Sequence, residues 1–280
     1  MHLRRAKAAV ALWLLAVLAP LHAEPLVAVI IDDLGYELDA ARRAAALPAA
    51  VTLSLLPDAP YSQEVYRLLA SSRHELMLHL PMQAMHRDAP REPVQFTEYL
   101  GRTATIVRLA RLLARYPAVR GVNNHQGSLL TQREPPMQWL MRGLRDFGGL
   151  YFVDSRTHRA TVAERVAAEF GVPHTRRDVF LDATPHDRGA FRRAFVELLR
   201  LARRNGTAVA IAHPHRESLQ ELAHALPRLQ AAGIRLAPVS AVIQRQEETT
   251  CPECSSPLLR VVKNSKPSPS STCCGGPVLR

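Results

Sequence analysis

The chain has 280 residues, 47% hydrophobic and 22% charged, with 36 Lys+Arg against 25 Asp+Glu for a formal net charge of +11. That length and apolar content exclude a wholly disordered chain and allow one large domain or two small ones. The cationic excess excludes little by itself: the lysines are only Lys7, Lys263 and Lys266, the arginines are scattered, and aromatics at 5% are too few for a base-stacking platform.

In chain order, Arg4, Arg5 and Lys7 precede the apolar run Ala8–Ala19, which Pro20 breaks ahead of Ala23. This is the layout of a secretory signal peptide over residues 1–23, too short to span a bilayer. It predicts a periplasmic or otherwise secreted protein with no stable membrane insertion after cleavage. Its removal lowers the charge to 11 − 3 = +8.

Residues 24–245 alternate apolar runs with amphipathic stretches. Strands are expected at Leu26–Ile31, Val51–Leu56, Glu75–Leu80, Val119–Asn123, Leu150–Asp154, Val179–Asp182, Thr207–Ala212 and Ile234–Ala237. Helices are expected over 39–47, 61–72, 103–116, 135–147, 159–170, 188–205 and 216–232. The set Leu109, Leu112, Leu113 and Tyr116 shows the helical spacing, as does Phe191, Phe195, Leu198 and Leu199. The fold class is α/β: a deformed (β/α) barrel of about seven or eight mainly parallel strands, with a doubly wound open sheet as second choice. Neither GxGxxG nor GxxxxGK[ST] is present, which argues against a nucleotide enzyme.

From Gln246 onward alanine vanishes, Ser and Pro rise, and all four cysteines fall at 251, 254, 273 and 274. Residues 246–280 read as a low-complexity Cys/Ser/Pro tail, expected to be disordered. Cys251-Pro-Glu-Cys254 is half of a zinc ribbon without a matching second half.

In a parallel barrel, chemistry collects at the C-terminal ends of strands. Those ends carry Asp32-Asp33, His79, Asn123-Asn124-His125, Asp154, Asp182 and His213. Each alone has a bland reading: a turn, a helix cap or a satisfied core histidine. Together they point to one site at the rim. Two neutral imidazoles and one carboxylate suit a divalent metal of borderline softness and leave positions open for water and substrate. Such a metal activates water and polarises a carbonyl, and a second carboxylate can take the proton. Asp32 and Asp33 can divide those two tasks, and His213 can protonate a leaving group. The combination predicts hydrolysis of an amide or ester.

The segments Ile31–Gly35, His74–Met82, Gly121–Ser128, Phe152–Thr157 and Ala212–Pro214 resemble the divergent polysaccharide deacetylase family, a branch of the carbohydrate esterase family 4 (NodB-homology) deacetylases. The resemblance spans about residues 25–245 in the right order. It implies a deformed (β/α) barrel and a metal-dependent N- or O-deacetylase of a cell-envelope polysaccharide, with zinc the expected ion. It implies Asp32 as base, Asp33, His79 and His125 as metal ligands, and His213 as the leaving-group acid, oriented by Asp154 or Asp182. Asn124, Ser128 and Asp182 are read on the substrate side, and Tyr36, Tyr61 and Trp139 are the aromatics offered to a sugar ring. Two departures stand out. The second histidine of the ordinary His-x-x-x-His motif is Gln83, and the Arg-x-x-Pro-Tyr segment is missing. The expected partner is a polysaccharide or peptidoglycan-type glycan, not nucleic acid. A non-catalytic module that binds glycan or a cell-envelope protein, such as a cell-wall hydrolase, is the alternative.

Overall fold

A computed structural model describes residues 23–250. The signal segment ahead of Ala23 and the cysteines of the tail lie outside the described residues. Among the described residues nine parallel strands are present: β1 (Leu26–Leu34), β2 (Thr52–Leu55), β3 (Leu76–Met82), β4 (Gly121–Gln126), β5 (Tyr151–Asp154), β6 (His174–Arg176), β7 (Val179–Phe180), β8 (Thr207–Ala212) and β9 (Arg235–Leu236). Among the described residues eight α-helices follow strands, with none between β6 and β7: α1 (Leu38–Ala45), α2 (Ser62–Ala70), α3 (Arg102–Arg115), α4 (Glu134–Phe147), α5 (Ala163–Glu169), α6 (Arg188–Asn205), α7 (Arg216–Ala225) and α8 (Val239–Thr250).

The strand order is β6-β5-β4-β3-β2-β1-β8-β7. The order never reverses as it does at the switch point of a doubly wound sheet. It steps around in sequence and rejoins through β1 and β8, so the sheet is a curled, incompletely closed barrel. The short β9 pairs with the first residues of β1, and β2 pairs with the last ones.

Alternation along the strands explains two cores. Residues of one parity point out toward the helices, among them Val27, Val29, Ile31, Leu78, Leu80 and Phe152. Residues of the other parity, including Leu26, Ala28, Ile30, Met77, Tyr151, Val153, Val209 and Ile211, fill the barrel interior. Val239, Val242 and Ile243 of α8 join the inner set and close the barrel at the N-terminal ends of the strands. The start of α8 is held there by Thr52, whose Oγ1 accepts from the Val239 N–H at 3.1 Å, and by Glu75, whose Oε1 accepts from Ser240 at 3.1 Å. Gly121 lies under the Tyr151 ring, and a Cβ there would sit 2.2 Å from it.

The helices follow local chemistry. In α3 the buried face is Thr105, Leu109, Leu112 and Leu113, the i, i+3, i+4 stripe. The α6 helix starts where Asp187 accepts from the Ala190 N–H at 2.8 Å and ends at Gly206 with φ 79°. Three expectations change. The 216–232 helix stops at Ala225, and two 3₁₀ turns follow around Pro227. The strand β6, with no apolar run, was not legible. The folded unit does not end at 245, because α8 continues to Thr250. No helix among the described residues is long and apolar enough to cross a membrane.

Candidate active site

The inward parity of β1 runs Leu26, Ala28, Ile30 and then Asp32, which is 2% exposed. Asp33 would point outward in a regular strand. Instead the β1–β2 register slips: Ile31 pairs with Leu53 but Leu34 with Leu55, leaving one extra residue on β1. Asp33 takes a positive φ of 56°, uncommon for a side chain with a Cβ. The bulge brings both neighbouring carboxylates to the same mouth.

The facing strands supply the rest by alternation. His79 on β3 pairs in register with Asn123 on β4, and His125 lies two residues further on the same face. Asn123 is fully buried and joins three strands. Its Nδ2 donates to Asp32 Oδ1 at 2.8 Å, and its Oδ1 accepts from the Ser54 hydroxyl at 2.7 Å and faces His79 Nδ1 at 2.8 Å. That acceptor fixes a proton on His79 Nδ1 and turns Nε2 toward Asp33 Oδ1, 3.1 Å away. His125 Nδ1 lies 2.9 Å from the same Asp33 oxygen.

Asp33 Oδ1 is buried and has no hydrogen bond of acceptable geometry, although two imidazole nitrogens flank it. Donor atoms of Asp33, His79 and His125 lie within 4.8 Å of one another. A buried oxygen without a hydrogen bond, set between two nitrogens, is the donor set a divalent cation needs. The residues present therefore fit a metal. The same neighbours act electrostatically. Burial opposes charge on Asp33, but the imidazoles of His125 and His79 beside it outweigh that cost and hold its carboxyl far below the usual range. Asp32 goes the other way: burial raises its pKa against the pull of His79, His213 and Asn123. Two adjacent carboxylates with opposite shifts are suited to different tasks.

His213 follows β8 on the inward parity of Val209 and Ile211. Its Nε2 lies 3.6 Å from Asp33 Oδ2, and its Nδ1 3.0 Å from Asp182 Oδ1. Asp182 Oδ2 accepts from the His213 N–H at 2.7 Å and from the Ser218 hydroxyl at 2.8 Å. Burial disfavours the imidazolium, but the Asp182 bond and the charges of Asp33, Asp182 and Asp32 outweigh it and push His213 up to about 9. Asp182, His213 and His215 also bring donors within 4.8 Å. Both Asp182 oxygens are already engaged, so Asp182 serves as the holder of His213, not on the substrate side.

Asp154 does not reach His213. On β5 the inward residues are Tyr151, Val153 and Ser155, so Asp154 faces out, where it accepts from the Arg156 N–H at 2.8 Å and the Thr161 hydroxyl at 2.8 Å. It shapes the turn into α5. Ser155 comes inward instead, its Oγ 3.3 Å from Asn123 Nδ2. Asn124 also ties backbone, donating to Gln126 O at 2.8 Å and accepting from Ser155 N at 2.9 Å. Ser128 accepts from Met85 N at 3.0 Å. Trp139 lies on α4 and the Tyr61 N–H donates to Gly35 O at 2.8 Å, whereas Tyr36 lines a cavity of about 460 Å³ with Asp33, Arg43, His186, His213 and His215.

Three residues escaped the sequence reading as site members. Ser54 and Ser155 carry a signal only once strand parity is known, as does the role of Asn123 within its rim motif. Glu92, on the connection between β3 and α3, carries none; its Oε1 accepts from the Tyr36 hydroxyl and lies 4.0 Å from His125 Nε2.

Known proteins resemble this chain in sequence and fold. The chain is 36% identical over 222 residues to the uncharacterized protein YibQ of Escherichia coli K12, covering 76% of this chain and 67% of that one. It is 32% identical over 213 residues to an uncharacterized protein of Haemophilus influenzae, covering 74% and 73%. Among solved structures, uncharacterized ATU2773 of Agrobacterium tumefaciens C58 superposes with a TM-score of 0.73 at 25% identity, over 78% of this chain and 89% of that one. A candidate cellobiose-phosphate cleavage protein of Enterococcus faecalis V583 shares the fold alone, with a TM-score of 0.58 at 13% identity over 79% and 99%. A model of the divergent polysaccharide deacetylase family matches residues 29–243. With the sheet order and the Asp-Asp, His and Asn-Asn-His segments converging on one mouth, the chain belongs to the divergent polysaccharide deacetylase family.

Proposed function

We propose that the protein is an extracytoplasmic, metal-dependent deacetylase that removes N- or O-linked acetyl groups from a cell-envelope polysaccharide. One observation carries this reading: Asp33 Oδ1 is buried between His79 Nε2 and His125 Nδ1, with Asp32 Oδ1 3.7 Å from His79 Nδ1 and His213 Nε2 3.6 Å from Asp33 Oδ2. Two imidazoles and one carboxylate suit zinc and leave part of its coordination open. When bound, such an ion supplies Lewis acidity toward the acetyl carbonyl and lowers the pKa of water.

This chain's residues do the rest. Asp32 has a raised pKa and sits beside the Asp33 donor set, where it can take a proton from attacking water. His213, charged and braced by Asp182, gives a proton to the departing amine or alkoxide. Asn123 holds Asp32 and His79 in register so that base and ligand keep their separation. The extracytoplasmic location rests on the N-terminal pattern of Arg4, Arg5, Lys7 and Ala8–Ala19.

The test pairs metal content with acetate release from acetylated glycans. Near-stoichiometric zinc and acetate release that falls on metal removal are expected. A protein that binds no divalent metal, or whose acetate release survives Asp33→Asn, would overturn the proposal.

A further inference from the structure

The connection from β3 to α3, residues 83–101, crosses the mouth of the barrel and is tied down at both sides. The Phe96 N–H donates to Pro81 O at 2.8 Å, and the Gln83 N–H donates to Phe96 O at 2.9 Å. The Gln83 side chain accepts from the Glu98 N–H at 3.0 Å, and Gln83 O accepts from the N–H groups of Leu129 and Leu130, each at 3.1 Å. Gln126 Nε2 donates to Pro90 O at 3.2 Å. Phe96 is 2% exposed and packs in the outer core. Position 83, where ordinary deacetylases carry a histidine, thus anchors a loop in this chain.

That loop delivers one acidic side chain to the site. Glu92 lies between Arg91 and Pro93, yet its side chain is only 12% exposed. Its Oε1 accepts from the Tyr36 hydroxyl and stands 4.0 Å from His125 Nε2, the ring nitrogen opposite the one that faces Asp33. A separation of that size is spanned by one water or a small side-chain rotation. Metal-ligating histidines characteristically place their second ring nitrogen on a carboxylate, which fixes the tautomer and the ring plane.

We propose that Glu92 is the positioning residue for His125: it holds the proton on Nε2 so that Nδ1 presents its lone pair beside Asp33, and Tyr36 holds Glu92 in place. The two histidines are then set by different means, His79 by the buried amide Asn123 and His125 by a carboxylate on the mouth loop. Because Tyr36 is part of the cavity wall, the same contact links the substrate side of the mouth to the ligand. The assignment rests on His125 being a metal ligand, as proposed above.

The experiment measures zinc affinity of the full chain by competition with a chromophoric chelator, so no substrate is needed. Glu92→Gln should weaken zinc binding by roughly 10–100-fold, with the metal-free melting temperature unchanged, and Glu92→Asp should recover part of the loss. Tyr36→Phe, which keeps the carboxylate but frees it, should give a smaller loss. Wild-type affinity in Glu92→Gln, while His125→Ala loses zinc, would sink the Glu92 assignment and leave the metal site standing. If zinc binds equally in wild type and His125→Ala, the ligand reading and this assignment fall together. Should Glu92→Gln lose metal-free stability, Tyr36→Phe decides, and wild-type affinity there overturns the proposal.

Discussion

Asn123 and Asp32, 91 residues apart in sequence, are joined by a 2.8 Å hydrogen bond from amide Nδ2 to carboxylate Oδ1 inside the barrel. The other end of the same amide meets His79 Nδ1 and the Ser54 hydroxyl. One side chain thus fixes the proposed base, orients a proposed metal ligand and ties β1, β2, β3 and β4 together. Asn123→Ala would strand a buried carboxylate, an imidazole N–H and a hydroxyl. Each costs about 1–3 kcal/mol when left unpaired, so the unfolding midpoint should fall steeply. Ser54→Ala removes one partner and should cost about 0.5–1.5 kcal/mol. Urea titration ranks the two; equal losses would contradict the hub role of Asn123.

The β1 bulge separates two residues that the sequence presents as a pair. Asp32→Asn should keep the donor set of Asp33, His79 and His125 and so retain zinc, while acetate release drops by about 10²–10⁴-fold with the loss of general base catalysis. Asp33→Asn should lose zinc and activity together. Zinc content and acetate release measured on both variants check the division, and a loss of zinc in Asp32→Asn would reassign the base as a ligand.

Strand ends and their polar residues were legible because a parallel barrel gathers them at one face. The resemblance, not spacing, separated Asp32 from Asp33; in the structure the two differ in backbone, with a positive φ at Asp33. Parity explains the site residues that were misplaced. Asp154 faces the helix layer while its neighbour Ser155 turns inward, and Asn124 serves backbone while Asn123 serves the site. Glu92 could not be read, since its role depends on where a loop of 83–101 crosses the mouth. The helix α8 was missed because its buried positions Val239, Val242 and Ile243 sit among Gln, Arg and Glu, and alanine runs out soon after.

That helix makes the barrel floor. Ile243 is 3% exposed and packs with the inner residues of β1, β3, β5 and β8. Ile243→Ala should cost about 2–5 kcal/mol, whereas Ala on the exposed Gln244 should be near neutral. Thermal unfolding of the two variants tests this. A small effect at Ile243 would show that α8 is dispensable to the core.

In the proposed mechanism His213 sets the alkaline side of the pH profile. Its ordinary value is 6.5; burial lowers it, and the Asp182 bond with the charges of Asp33, Asp182 and Asp32 raises it to about 9. The group is therefore protonated, and able to act as an acid, at all pH below its raised value. Activity should fall as pH rises through that value. A cation on Asp33 offsets that carboxylate's pull, so the limb of the loaded enzyme should lie below about 9. Asp182→Asn removes the strongest of the raising interactions and should move the limb to lower pH without abolishing zinc binding, because Asp182 is outside the Asp33, His79 and His125 set. A profile of acetate release against pH for both proteins measures the shift. An unmoved limb in Asp182→Asn would remove His213 from the role of acid and leave Asp182 as a purely structural anchor of Ser218 and the β8 turn.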